Sequence, residues 1–448
     1  MKIYCRCFKN SEKFKVSCLF IIIALAISFV HVSLSCAEVL TLSDGLKRVT
    51  EDNRLLKITQ GDERISVADT YIAWSRLLPE VNTSAGYTVQ AYKPQAIFGP
   101  QTVPVSEKDF FNYSLKVQQT LYDFKGNASR YEASRAVLNT KKFETARVKN
   151  LVSLDFLLIY FDLLESEKML VVAQKEVERF ESHLRDAKNL YEEGVITKND
   201  LLQAEVRISD AKQRLVSAKN LRALNASRLN TILARPLTED VQPVDQDKKL
   251  SDTLLPDTGK AWEMAEKQRP EIMIVDETLR SLDLGKKSKQ SEYYPRFFAE
   301  GGYDFIENRY MVHEGNWSLI LGLGWNLFRG GATKAEILKI ESQKQQLFEQ
   351  KNKILDDIRL EVEKYQLDLR NAQERIAVTK DAVQQADENL RINRLKYEEG
   401  VGTATDVIDA VTLLAMAETN YYRALYDLRR AEGAFLYATG RELAEVYQ

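Results

Sequence analysis

"YEEGV" stands at Tyr191–Val195 and again at Tyr397–Val401, an offset of 206 residues. The same offset lays Thr197 on Thr403, Asp200 on Asp406 and Ala204 on Ala410. Upstream, "FKGNASR" (Phe124–Arg130) matches "FRGGATK" (Phe328–Lys334) at 204, and Leu78-Pro79 matches Tyr294-Pro295 at 216. The offset shrinks across "KPQAIFGPQTVPVSEKD", for which the second half has a shorter connection. The chain is therefore two copies of one unit.

Each unit has the same order: a helix ending at a proline, two alternating segments, a very long helix, the YEEGV turn and a returning helix. In the first unit Tyr113, Leu115, Val117 and Leu121 share a face opposite Asn112, Ser114, Lys116 and Gln118. In the second, Leu319, Leu321, Leu323, Trp325 and Leu327 oppose Ser318, Gly322, Gly324 and Asn326. Strands are expected at about 80–92 and 109–124, and at about 296–307 and 316–328. Each is long enough to cross a bilayer as a tilted strand, and equally fits a soluble sheet half-buried on a core.

The helices separate these alternatives. All nine prolines lie at or before Pro295, with none between Pro104 and Pro236. The proline-free stretch from Gly126 to Tyr191 makes a rod of roughly 100 Å. Near its end Leu170, Ala173, Val177, Phe180, Leu184, Ala187 and Tyr191 recur at a heptad spacing. Ile376, Thr379, Val383, Ala386, Leu390, Asn393 and Tyr397 repeat that register in the second unit. Four strands cannot close a barrel in lipid, so a membrane location requires several chains to pool them.

Composition narrows the function. A formal charge of −2 leaves no basic footprint for nucleic acid. Lys2, Arg6, Lys9, Lys13 and Lys15 precede the apolar run "CLFIIIALAISFV" and then "SLSCAEV", which reads as a signal peptide over 1–37 cleaved after Ala37. Cys36 as a lipidated first residue is the alternative, with Ser33 where that signal prefers an aliphatic residue. All four cysteines (Cys5, Cys7, Cys18, Cys36) lie in this presequence, leaving the mature chain no disulfide, thiolate metal site or cysteine nucleophile. His31 is in the presequence, and His183 and His313 fall in different layers. With no phosphate-binding loop, nucleophile elbow or H-E-x-x-H pair, neither an enzyme nor a cofactor is expected.

The ordered set now resembles the TolC family of outer-membrane channel proteins over nearly all of the mature chain. It comprises "LTLSDGLKRVTEDNRLL", "LLPEVNTSAGYT", "LYDFKGNASR", "KQRPEIM" and "YEEGVGTATDVIDA". The resemblance implies a mainly α fold with a membrane β-barrel: a homotrimer pooling a twelve-stranded barrel in outer-membrane lipid, continued by a periplasmic α-helical tunnel. It divides the chain into a first repeat (38–242), a linker (243–257) and a second repeat (258–448). It implies an exit duct for efflux or type I secretion, with a periplasmic adaptor and an inner-membrane pump of RND, ABC or MFS type as partners. A soluble periplasmic coiled-coil scaffold or adaptor is the competing class, but it would carry one hairpin and no duplicated strand pairs. The substrate is not legible, although the mature chain has no Met or His clusters for dedicated copper or silver export.

The resemblance also assigns the turns. Gly194, Val195, Thr197, Gly400, Val401 and Thr403 are expected to dock the adaptor, besides serving as helix punctuation. Asp406 and Asp409, three apart on one helix face, would ring the pore. Tyr397 would hydrogen-bond across to Asp200 and hold that gate shut, without the assisting basic residue, whose place Gly402 takes.

Overall fold

The computed structural model describes residues 38–245 and 257–447. The expected leader with Cys36, and most of the linker, lie outside them. The first repeat runs β1 (Glu38–Leu40), α1 (Leu42–Asp52), α2 (Arg54–Ser75), β2 (Glu80–Val89), β3 (Gln95–Phe98), β4 (Gln101–Pro104), β5 (Asp109–Tyr122), α3 (Gly126–Glu192), α4 (Lys198–Ile232) and β6 (Val241–Pro243). The second runs α5 (Thr258–Gln268), α6 (Pro270–Gln290), β7 (Arg296–Ile306), β8 (Gly315–Gly324), α7 (Ala332–Glu398), α8 (Ala404–Ala438) and α9 (Leu443–Val446).

The duplication is metrical as well as sequential. α3 and α7 have 67 residues each, and α4 and α8 have 35 each. Both long helices follow a pair of left-handed residues: Phe124 and Lys125 in one repeat, Gly330 and Gly331 in the other. The structural offset is thus 206 up to this turn, and the sequence match at 204 displaces it by two. Phe124 tolerates a positive φ of 51° while its ring stacks on Tyr294 at 4.5 Å.

β2, β5, β7 and β8 form one antiparallel sheet in that order. The β5–β7 pairing joins the two repeats, and β2 and β8 are left as edges. Register sorts the side chains onto two faces. One carries Leu323, Leu321, Leu319 and Trp317 of β8 beside Phe297, Ala299, Gly301 and Tyr303 of β7. It continues through Val117 and Leu115 of β5 to Val81 and Thr83 of β2. The other carries Ser318, Glu300, Lys116, Ser114 and Ser84, with Lys116 paired to Glu300 and Ser84 bonded to Ser114. The apolar face is uncovered: Trp317, Leu319 and Leu321 are 75%, 75% and 74% exposed. A soluble half-buried sheet would hide that face.

Two details differ from expectation. β8 stops at Gly324, after which the Trp325 indole N–H donates to the Tyr293 carbonyl (3.2 Å). The proline-rich insertion of the first repeat is a β3–β4 hairpin rather than a plain connection. The β7–β8 connection meets it through Asn308, which donates to the Val105 carbonyl, and Arg309, which pairs with Glu107.

No helix among the described residues is long and apolar enough to cross a membrane. The largest core lies midway along α3, where Phe156, Leu157, Tyr160 and Leu163 pack against Leu46 of α1, Leu229 of α4 and Leu436 of α8. β1 and β6 pair in parallel beside it, pinned by the Tyr160 hydroxyl, which donates to the Val244 carbonyl (2.7 Å) and accepts from its N–H (3.1 Å). A second core joins α5, α6, α7 and α8 through Ala261, Ile272, Val362 and Phe435.

Candidate functional site: the tip of the helical hairpins

The two YEEGV turns use one local device. Gly194 (φ 74°) and Gly400 (φ 75°) terminate their helices in the left-handed conformation. Val195 N–H reaches back to the Leu190 carbonyl (2.8 Å) and Val401 N–H to that of Lys396 (2.9 Å), while each glycine N–H bonds the carbonyl of its preceding tyrosine. This closure satisfies the last carbonyls, and a Cβ at the glycine would be strained. Thr197 and Thr403 then start the returning helices with reciprocal capping boxes. Asp406 Oδ2 accepts from Thr403 N–H (3.0 Å) and hydroxyl (2.7 Å), which holds its carboxyl below the usual range. Val195 and Val401 remain exposed beside the turns.

Asp406 and Asp409 are both exposed on the first turns of α8, and among the described residues Asp409 makes no hydrogen bond or ion pair. Beneath them Val407, Ile408 and Val411 pack with Tyr397, Val177, Phe180 and Ile208. α8 lies between α7 and α3, so the second hairpin rests on the first. Arg179 of α3 makes a two-pronged contact with Glu418 of α8 (2.8 and 3.0 Å). Arg394 of α7 donates to Ser182 (2.7 Å) and Asp186 (3.5 Å) of α3.

The expected Tyr397–Asp200 hydrogen bond is not formed. Asp200 Oδ2 is taken by Thr197, N–H at 3.0 Å and hydroxyl at 2.7 Å. The Tyr397 hydroxyl is buried and has no hydrogen-bond partner among the described residues. Its pKa is raised first by burial and then by the nearby charges of Asp200 and Asp186. The local cap outcompetes the cross-hairpin contact because it costs only three residues of loop closure.

In place of Asp200, Tyr397 meets His183, their ring centroids 5.1 Å apart. His183 is 3% exposed, its Nε2 has no partner, and it opens with Tyr397, Asp186 and Arg394 onto a recess of about 250 Å³. Burial, then the Arg394 charge, lowers its pKa to about 4. The sequence carried a signal for this residue: Ala173, Glu176, Phe180, His183 and Ala187 are spaced 3-4-3-4 and are all buried. They form a second heptad row that shares Ala173, Phe180 and Ala187 with the first.

A family model described as outer membrane efflux protein matches residues 49–235 and 263–441. The outer membrane efflux protein BepC of Brucella suis biovar 1 (strain 1330) is 21% identical over 411 residues, covering 90% of this chain and 86% of BepC. The outer-membrane channel OprN superposes with a TM-score of 0.78 at 17% identity, covering 90% of both chains. The open state of the Neisseria gonorrhoeae MtrE outer membrane channel gives a TM-score of 0.75 at 18% identity, covering 90% of this chain and 89% of that one. The strand pairs and long hairpins of both repeats fall within the matched residues, and the chain belongs to the outer membrane efflux protein family.

Proposed function

We propose that three copies of this chain form a passive exit duct across the outer membrane and periplasm, the outer component of a tripartite efflux or type I secretion system. The observation that carries it is the bare apolar face of a four-stranded sheet whose edges, β2 and β8, are both open. In lipid an open edge leaves backbone groups unsatisfied, and pairing β8 of one copy with β2 of the next removes it. Three copies give a twelve-stranded closed barrel, and the hairpins continue it as a tunnel. A soluble adaptor would have no use for an uncovered apolar sheet built from strand pairs of both repeats.

The tunnel's inner end is the hairpin tip. There Asp406 and Asp409 form two carboxylate rings under three-fold symmetry, narrowing the resting pore and attracting cations. Tyr397 holds α7 inward by packing under α8, and Asp200 caps the start of α4 together with Thr197. The exposed Val195 and Val401, with Gly194, Thr197, Gly400 and Thr403 shaping the turns, receive the periplasmic adaptor, which couples the duct to an inner-membrane pump. Light scattering in mild detergent should give the mass of three chains, and planar bilayers should show cation-selective channels blocked by multivalent cations. A stable monomer with intact β signal, or recovery only in the soluble periplasmic fraction, would sink the proposal.

A further inference from the structure

We propose that His183 is a positioning residue for the tip, an acid-sensitive latch whose protonation releases Tyr397 and lets the second hairpin part from the first. This rests on reading the tip as the gate, and it adds a regulation that the carboxylate rings alone do not supply.

The geometry carries it. His183 is the buried histidine at the seam where α3 of the first hairpin meets α7 and α8 of the second, 3% exposed and 5.1 Å from the Tyr397 ring. Its Nε2 and the Tyr397 hydroxyl are both buried without hydrogen-bond partners among the described residues. A neutral imidazole tolerates this place as an aromatic packing surface. An imidazolium there would carry a buried N–H that no group among the described residues accepts, and burying a charge without a partner is costly.

Two carboxylates, Asp186 and Asp387, line the same recess, but neither hydrogen-bonds His183 Nε2. On α3 itself Arg179 is engaged by Glu418, and Asp186 faces Arg394. From α7, Asp387, Arg391 and Arg394 face the recess with Tyr397; Arg391 is bonded to Glu388, and Arg394 to Glu398 and Ser182. α8 presents Val407 and Val411, which carry no charge. From α4, Asp200 is committed to Thr197. Among these charges Arg394 disfavours a proton on His183, adding to the effect of burial.

The sign follows from linkage. The packed state holds His183 at a pKa of about 4, against 6.5 for a solvated histidine. Above 6.5 both states are neutral there and the latch is at full strength; it weakens as pH falls from 6.5 towards 4. Between pH 7.5 and 5.5 the parted state gains roughly tenfold per chain. Acidification of the periplasm thus opens the duct.

The test is planar-bilayer conductance of the full-length trimer between pH 7.5 and 5.5, for the parent, His183→Gln and His183→Phe. The two variants remove the titrating group, one keeping polarity and the other the ring, so at least one should assemble, as checked by light scattering. The parent should open on acidification and each assembled variant should show a flat profile over this window. A parent with no acid response, or an assembled variant titrating like the parent, overturns the latch. Cation block in Asp406→Ala/Asp409→Ala reports separately on the carboxylate rings. Parent-like block in that variant rejects the rings, whereas its retained acid response upholds the latch.

Discussion

Tyr191 and Tyr397 hold the same position in the two repeats, yet Tyr397 is 3% exposed and Tyr191 is 40% exposed. Tyr397 is covered because α3 and α8 close over it within the chain. Tyr191 has no equivalent hairpin closing over it among the described residues of the chain. Replacing Tyr397 by Ala should cost about 3 kcal/mol of packing at the tip. Limited trypsin digestion of the trimer should then cut at Arg391, Arg394 and Lys396 much faster than in the parent. Tyr191→Ala should leave that digestion pattern largely intact; equal sensitivity of the two variants would contradict the asymmetry.

The α8 cap gives a separate pH signature at a lower range than the latch. Thr403→Ala removes the hydroxyl on Asp406 and should destabilise the start of α8 by about 1 kcal/mol. The Asp406 carboxyl is held below its ordinary value by Thr403, so its contribution is present above that ordinary value of 3.8 and lost as pH falls through its lowered one. Hydrogen exchange of the amides at Asp406 and Val407 should therefore accelerate, relative to intrinsic rates, only below about pH 4 in the parent. It should be fast throughout in Thr403→Ala.

Arg269 is the fastener at the other end of the second repeat. Its guanidinium pairs with Glu271 (2.8 Å) and Glu361 (2.7 Å) and lies 5.0 Å from the Tyr437 ring. It ties the start of α6 to α7 and to the end of α8, where it also reaches the Ala438 carbonyl. Arg269→Ala leaves two carboxylates facing each other and should cost about 3 kcal/mol, read as a lowered thermal midpoint. Arg269→Lys should recover little, because a point charge cannot span both partners and stack.

The two sheet faces should respond oppositely to charge. Leu321→Arg places a cation mid-strand on the apolar face and should destabilise the membrane-inserted form by about 2–4 kcal/mol. Ser318→Arg, on the polar face of the same strand, should fold like the parent. Urea titration after refolding into phospholipid vesicles, followed by gel mobility with and without heating, measures both. Equal tolerance would mean that the exposed face does not meet lipid.

The local grammar of this protein was legible in its sequence. The duplication, the two long helices, the Gly194 and Gly400 stops and the Thr197 and Thr403 starts all depend on contacts within five residues along the chain. Residue type and spacing specify such contacts directly. The strand alternation was legible too, but not which environment its apolar face meets, because the pattern is the same for a soluble core and for lipid. Its uncovered state appears only once the sheet is assembled and none of the described residues packs over Trp317, Leu319 and Leu321.

Tertiary structure decided what lies between distant segments. Asp200 was free in the sequence to serve its own cap or Tyr397, and the nearer partner took it. His183 was one residue of a helical stripe until α7 and α8 folded back and made it the neighbour of a tyrosine more than two hundred positions away. Arg269 marked a helix boundary until Glu361 and Ala438 converged on it. The physical division is one of loop closure and competition. Contacts closed by a few residues form wherever their residue types occur, whereas those across two repeats exist only when packing of the long helices has already fixed which faces meet.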